Sequence, residues 1–76
     1  MDEKFLNIRK TIANNILFFR KKKNLSQVQL AKLISKELNK NVIKQSVWHW
    51  ENGDYSPPIE SLFAICHVFN FHIPSY

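Results

Sequence analysis

The chain has 76 residues, a net charge of +5 and an apolar content of 45%, which together indicate one small folded domain and exclude a disordered chain. Its single cysteine, Cys66, excludes an intrachain disulfide and a cysteine-rich zinc site. No apolar run approaches the ~20 residues of a transmembrane helix. The interrupted, partly acidic N-terminus does not resemble a signal peptide. We therefore expect a cytoplasmic protein.

The basic residues are confined to one part of the chain. All eleven Lys and Arg residues lie within 1–44, where three acidic residues reduce their charge to +8, while 45–76 carry a charge of −3. This asymmetry is typical of a protein that binds a polyanion on one side. It fits a solvated, lysine-rich surface equally well, so charge alone leaves both interpretations open.

The first predicted element is an amphipathic helix over residues 5–22. Apolar residues recur every three or four positions, with charged and amide side chains between them. This predicted stripe consists of Phe5, Ile8, Ile12, Ile16 and Phe19. Basic residues 20–23 fall in its last turn, where the helix dipole favours cations.

A second helix is predicted to begin at about Gln27. Ser26 and Gln29 form a capping-box signature, in which each side chain accepts a hydrogen bond from a backbone N–H that lacks a partner. The residues predicted on the inner side of this helix are Leu30, Ala31, Leu33, Ile34 and Leu38. We expect the helix to end near residues 39–41, because Asn tolerates the left-handed backbone conformation.

Two shorter helices are predicted to follow. The third extends from Lys44 to Asn52 and ends at Gly53, the only glycine of the chain. The fourth begins at Pro58, since proline suits a first helical position, and continues to about Phe69. Its predicted apolar stripe consists of Ile59, Leu62, Phe63, Cys66 and Phe69. With no convincing strand, the predicted fold class is all-α.

Four segments of the chain follow one another in a recognisable order. They are I-A-N-N-I-L-F-F-R (12–20), L-S-Q-V-Q-L-A-K-L (25–33), V-I-K-Q-S-V-W-H-W-E-N-G (42–53) and P-P-I-E-S-L-F-A-I-C (57–66). Together they resemble the phage-repressor/Cro-type helix-turn-helix domains, also called the xenobiotic-response-element family. The resemblance covers about residues 12–73 and implies a compact bundle of four to five helices that binds double-stranded DNA and regulates transcription.

The resemblance also suggests how the chain is divided. Residues 1–11 are expected to extend helix 1, residues 12–69 to form the DNA-binding domain, and residues 70–76 to form a short tail available for a dimer contact. No Ser/His/Asp set, carboxylate pair or glycine-rich loop is evident, so we expect no enzyme activity and no cofactor. Cys66 is expected in the core rather than at a metal site.

The resemblance implies that the third helix reads DNA. In the family, the N-terminal turn of this helix meets base edges in the major groove. The matching candidates for base contacts are Ile43, Lys44, Gln45, Ser46 and His49. Gln45 can form two hydrogen bonds to adenine, and Lys44 can reach guanine acceptors. Ile43 replaces a capping Ser or Thr and can meet a thymine methyl group.

Further positions match the family's phosphate contacts and a structural ion pair. The phosphate candidates are Ser26, Gln27, Gln29 and Asn52. Backbone amides at the start of helix 2 favour a phosphate oxygen. Arg20 matches the arginine that pairs with the acidic residue of W-E-N-G, which is Glu51 in this chain.

The segment between Ala31 and Val42 is longer than in the shortest family members and predicts a longer helix 2 and turn. Trp48 stands where the family commonly has a small or polar residue. Trp48 and Trp50 point about 200° apart on a helix, so both cannot face one core. Trp50 is assigned to the core with Val47. Trp48 either packs against the extra turn residues, which we favour, or lies near the DNA backbone.

The expected function is a dimeric repressor that binds a pseudo-palindromic operator, with half-sites ~34 Å apart. Apolar residues near the C-terminus are the expected dimer interface, namely Phe69, Phe71, Ile73 and Tyr76. One alternative is an antitoxin or controller protein that regulates its own operon and binds a protein partner such as a toxin. Another is a protein-interaction module whose basic half binds an acidic partner.

Overall fold

The computed structural model describes residues 3–70, and the side chains of residues 7–70. Within this range the chain is helical, without strands. The four helices are α1 (Glu3–Lys22), α2 (Gln27–Leu38), α3 (Lys44–Asn52) and α4 (Ile59–Val68). The predicted all-α class is confirmed. None of the four helices is long and apolar enough to cross a membrane.

The junction between α1 and α2 contains the predicted capping box. Asn24 adopts a left-handed conformation (φ 57°) that turns the chain after α1. The Ser26 hydroxyl oxygen accepts a hydrogen bond from the Gln29 backbone N–H at 3.0 Å. In return, Gln29 Oε1 accepts one from the Ser26 N–H at 2.7 Å. These reciprocal bonds fix the start of α2 at the predicted residue.

The turn between α2 and α3 is anchored by Ser35. Its hydroxyl accepts a hydrogen bond from the Val42 N–H at 2.8 Å and also lies 3.1 Å from the Val42 carbonyl oxygen. Asn39, in a left-handed conformation, ends α2. An exposed ion pair joins Lys40 to Glu60 near the start of α4. The longer turn is thus bonded to α2 at its far end, before α3 begins.

Gly53 ends α3 in a left-handed conformation, with φ 73°. A Cβ atom at this position would lie 3.9 Å from the Ala13 Cβ, which is ordinary contact. The cost of a side chain is therefore conformational, and Gly53→Ala should lower the free energy of unfolding by about 1–2 kcal/mol. Urea unfolding measures this loss. Gly53→Asn is the control and should lose less free energy of unfolding, because asparagine tolerates this conformation. Equal losses in the two variants would contradict a conformational cause.

The core lies where α3 packs against α1 and α2, and α4 packs against α2. Its buried side chains come from all four helices and from Phe69. They are Ile16, Leu30, Ala31, Ile34, Val47, Trp50, Ala64, Ile65 and Phe69. Trp50 and Val47 are in the core, as predicted. This packing fixes which face of α3 is left exposed.

Two apolar residues predicted to face inward are exposed. Leu33 lies on the outer side of α2, because the buried face is centred on Leu30, Ala31 and Ile34. At about 100° per residue, Leu33 is roughly 100° from the centre of that face. Ile8 is also exposed, since the other helices do not cover this part of α1.

The predicted stripe of α4 is wrong in its orientation. The buried face consists of Ser61, Ala64 and Ile65, whereas Ile59 is 68% exposed and Phe63 is also exposed. The helix buries the small side chains at 61 and 64 together with Ile65, and Ile59 and Phe63 therefore point outward. The start of α4 differs by one position, because Pro58 is its N-cap and Ile59 its first residue.

Phe69 does not belong to a surface interface. Its side chain is 4% exposed, with its ring 6.1 Å from that of Phe19 on α1, so the core of one chain accounts for its burial. The other residues of the expected dimer interface, Phe71, Ile73 and Tyr76, lie outside the described residues. Cys66, expected in the core, is only partly buried.

Candidate nucleic-acid interface

A nearly buried carboxylate connects the helices that carry the candidate DNA contacts. Arg20 of α1 donates to Glu51 of α3 through Nε at 2.5 Å and Nη2 at 3.0 Å. The side chains are 12% and 4% exposed, respectively. Arg20 Nη1 also donates to the Leu25 carbonyl oxygen at 2.8 Å. The pairing expected between Arg20 and Glu51 is therefore present, and it holds α3 against the end of α1.

Gln27 completes this connection from α2. Its Nε2 donates to Glu51 Oε1 at 3.0 Å, so one carboxylate joins three helices. The sequence resemblance matched Gln27 only to a phosphate contact and did not indicate this bond. The amide group has two N–H donors, and the second remains chemically able to bind a phosphate oxygen.

The start of α2 presents hydrogen-bond donors next to basic residues. By helix geometry, the N–H groups of Gln27 and Val28 point out of the first turn without an intrahelical acceptor. Ser26 and Gln29 are exposed, and each retains a side-chain donor in addition to its capping bond. The exposed cations of residues 21–23 lie at the end of α1, separated from Ser26 by Asn24 and Leu25. These features together form an electropositive surface suited to a phosphate group.

The exposed face of α3 carries Lys44, Gln45, Trp48 and Asn52. At about 100° per residue, these positions fall within an arc of about 100°. Lys44 and Gln45 lie in the first turn, where side chains of a helix inserted in the major groove reach base edges. Ser46 is half-buried and lies about 100° beyond Gln45, outside this face. Ile43, the N-cap residue, is exposed just before it.

His49 is held against the loop that follows α3. Its Nδ1 lies 2.8 Å from Asp54 Oδ2, and its ring stacks on Tyr55 with centroids 5.3 Å apart. Gln45 and His49 were predicted on one face, and their spacing of four residues on α3 places Gln45 between Trp48 and His49 on the helix surface. Sequence reasoning missed Asp54 and Tyr55, whose only signal is their position directly after the glycine that ends α3.

Trp48 lies in the middle of the exposed face of α3. It is 48% exposed, so the prediction that it packs against the longer turn is wrong. Its ring contacts the His49 ring edge-to-face at 5.0 Å. Asn52 Nδ2 donates to the Trp48 carbonyl oxygen at 2.7 Å, which leaves Asn52 one amide N–H for a phosphate.

Comparison with known proteins identifies the family. A family model described as helix-turn-helix matches residues 16–75, which is most of the chain. No curated protein and no solved structure matches the sequence. The matched range includes the capping box, the shared carboxylate and the exposed face of α3. The chain belongs to the Cro/C1-type helix-turn-helix family of DNA-binding transcriptional regulators.

Proposed function

We propose that the protein is a sequence-specific repressor that places α3 in the major groove of a pseudo-palindromic operator. The observation that carries this proposal is the exposed first turn of α3, where Lys44 and Gln45 project from a helix fixed by Arg20 and Glu51. A side chain that reads a base must be positioned before binding, because freezing it on the DNA costs conformational entropy. The shared carboxylate fixes the backbone of α3, from which these two side chains project.

The remaining candidates divide into base and phosphate contacts. Ile43 and Ser46 lie on either side of Lys44 and Gln45 in the sequence and are proposed as further base contacts. His49 can contribute only through Nε2 while Nδ1 faces Asp54. The proposed phosphate contacts, at the start of α2 and the end of α3, are Ser26, Gln27, Gln29 and Asn52. Phosphate contacts fix the register of the protein on the duplex, and base contacts supply specificity.

The repressor is proposed to act as a homodimer in the cytoplasm, without a cofactor. A single α3 covers too few base pairs for high affinity and specificity, and a second copy doubles the recognised sequence. With Phe69 in the core, the proposed dimer contact reduces to Phe71, Ile73 and Tyr76. Bound at the promoter, the dimer would prevent polymerase from binding.

Selection of bound duplexes from a random DNA pool tests this function. We expect one sequence to be enriched as two inverted half-sites, with centres 10–10.5 base pairs apart or a multiple of that spacing. Affinity for the enriched duplex should fall steeply with salt concentration, because Lys and Arg contacts release counterions. Recovery of single half-sites would contradict the dimer. Binding without enrichment of any sequence would contradict the repressor and favour a non-specific polyanion-binding protein.

A further inference from the structure

Trp48 is the largest side chain on the exposed face of α3. It follows Lys44 by four residues and Gln45 by three, which makes all three side chains neighbours on the helix surface. Helical side chains tilt toward the N-terminus of their helix. The Trp48 indole therefore extends toward the turn proposed to enter the major groove.

The indole contacts a neighbouring ring that is itself held in place. Trp48 meets the His49 ring edge-to-face, and the His49 ring is in turn held by Asp54 and stacked on Tyr55. Aromatic contacts of this kind restrict the orientations of a ring. An exposed apolar group that is held in place before binding loses little entropy when a partner covers it.

We infer that Trp48 is a specificity-determining residue that contacts the C5-methyl group of a thymine in the major groove; this rests on the function proposed above. The thymine methyl is the apolar group that base pairs present in that groove. Indole contact with it removes apolar surface of both partners from water. Lys44 and Gln45 supply hydrogen bonds but no comparable apolar surface, so Trp48 adds a preference that they cannot provide.

The charges around Trp48 favour DNA over a second copy of the chain as the partner. On the same face, Lys44 lies one turn before Trp48 and Asn52 lies one turn after it. A second copy would bring two Lys44 side chains and two indoles together, which juxtaposes like charges. A duplex instead offers phosphates to the polar residues and a methyl group to the indole.

Replacing thymine by deoxyuridine tests the inference, because it removes the methyl group and keeps every base-pairing group. Each thymine of the selected duplex is replaced in turn. At one position of each half-site we expect the wild type to lose about 4-fold in affinity, the value of one buried methyl group. Trp48→Ala should bind the thymine and deoxyuridine duplexes equally at that position. Trp48→Phe should retain part of the difference.

Gln45→Ala is the matched control, since it changes a neighbouring side chain on the same face. This variant should lose affinity overall but keep the 4-fold preference for thymine at the Trp48 position. If Trp48→Ala retains the full preference at every thymine, the inference is overturned while the repressor function stands. If no duplex is enriched in the first place, the proposed function fails instead. Circular dichroism of Trp48→Ala should match the wild type, because the side chain is exposed.

Fluorescence gives a second readout that does not depend on the sequence preference. Trp50 is buried and Trp48 is exposed, so acrylamide quenches mainly Trp48 in the free protein. The difference between wild type and Trp48→Phe isolates the Trp48 signal. Saturation with the selected duplex should reduce its quenching several-fold. Unchanged quenching in the saturated complex would overturn the inference, because the indole would then remain in solvent.

Discussion

Replacing Arg20 with alanine should lower the free energy of unfolding by about 3 to 5 kcal/mol. Glu51, whose side chain is 4% exposed in the folded protein, would lose both of its bonds to Arg20, and Gln27 would be its remaining partner in this network. An uncompensated buried charge is among the most costly defects in a small domain. Thermal unfolding should show a decrease in Tm of at least about 12 °C.

Lys40→Ala is the control for this result. It removes the same charge and also breaks an ion pair, but both partners, Lys40 and Glu60, are about half exposed. Exposed pairs contribute about 1 kcal/mol or less. The free energy of unfolding of this variant should therefore be close to that of the wild type. If Arg20→Ala and Lys40→Ala lost equal stability, the shared carboxylate would not be a main support of α3.

The second large effect is expected at the first turn of α3. Lys44→Ala and Gln45→Ala should each reduce the preference for the selected duplex over random duplex by about 5- to 150-fold. Both side chains are exposed, so the loss should appear without a change in stability. Competition binding, with selected and random duplexes of equal length, measures the ratio directly.

Lys22→Ala is the control for Lys44→Ala, because it removes an exposed lysine outside the reading face. If Lys22 faces a phosphate, this variant should weaken binding to all sequences similarly. The slope of log affinity against log salt concentration should then decrease in magnitude by about 1. A double variant at Lys44 and Gln45 that kept full discrimination would contradict the proposed placement of α3 in the groove.

The ends of the helices were predictable from local chemistry. Ser26 and Gln29 cap α2 by bonds between residues three apart, and Gly53 ends α3 because its backbone adopts a left-handed conformation. Such signals depend on neighbours in the sequence alone. The predicted start of α2 at Gln27 and the predicted end of α3 at Asn52 are accordingly those of the structure.

The buried face of α4 was not predictable in the same way. Apolar residues surround this helix, so two different stripes satisfy the helical repeat. The choice depends on which stripe fits against α2, and Ser61 and Ala64 fit because they are small. Phe69 was misassigned for a related reason, since its burial depends on Phe19, which is distant in the chain.

The candidate site was predictable where it follows the family motif and not where this chain departs from it. Arg20 and Glu51 matched known positions, and their bonds are present. The exposure of Trp48 and the loop contacts of His49 depend on how α3 is rotated against the core. The burial of Val47 and Trp50 was predicted and turns Trp48 away from the core, but whether the longer turn covers Trp48 depends on the path of that turn in three dimensions.

The turn between α2 and α3 offers an attachment point for a spectroscopic label. The Ser35 hydroxyl accepts a hydrogen bond from the Val42 N–H, so we expect that the chain before this anchor can change without displacing α3. Asn41 lies just before the anchor and is exposed. A cysteine introduced there, with Cys66 replaced by serine to leave a single thiol, would carry a fluorophore beside the reading helix. The added length of this turn therefore provides a place to observe operator binding without altering the residues that perform it.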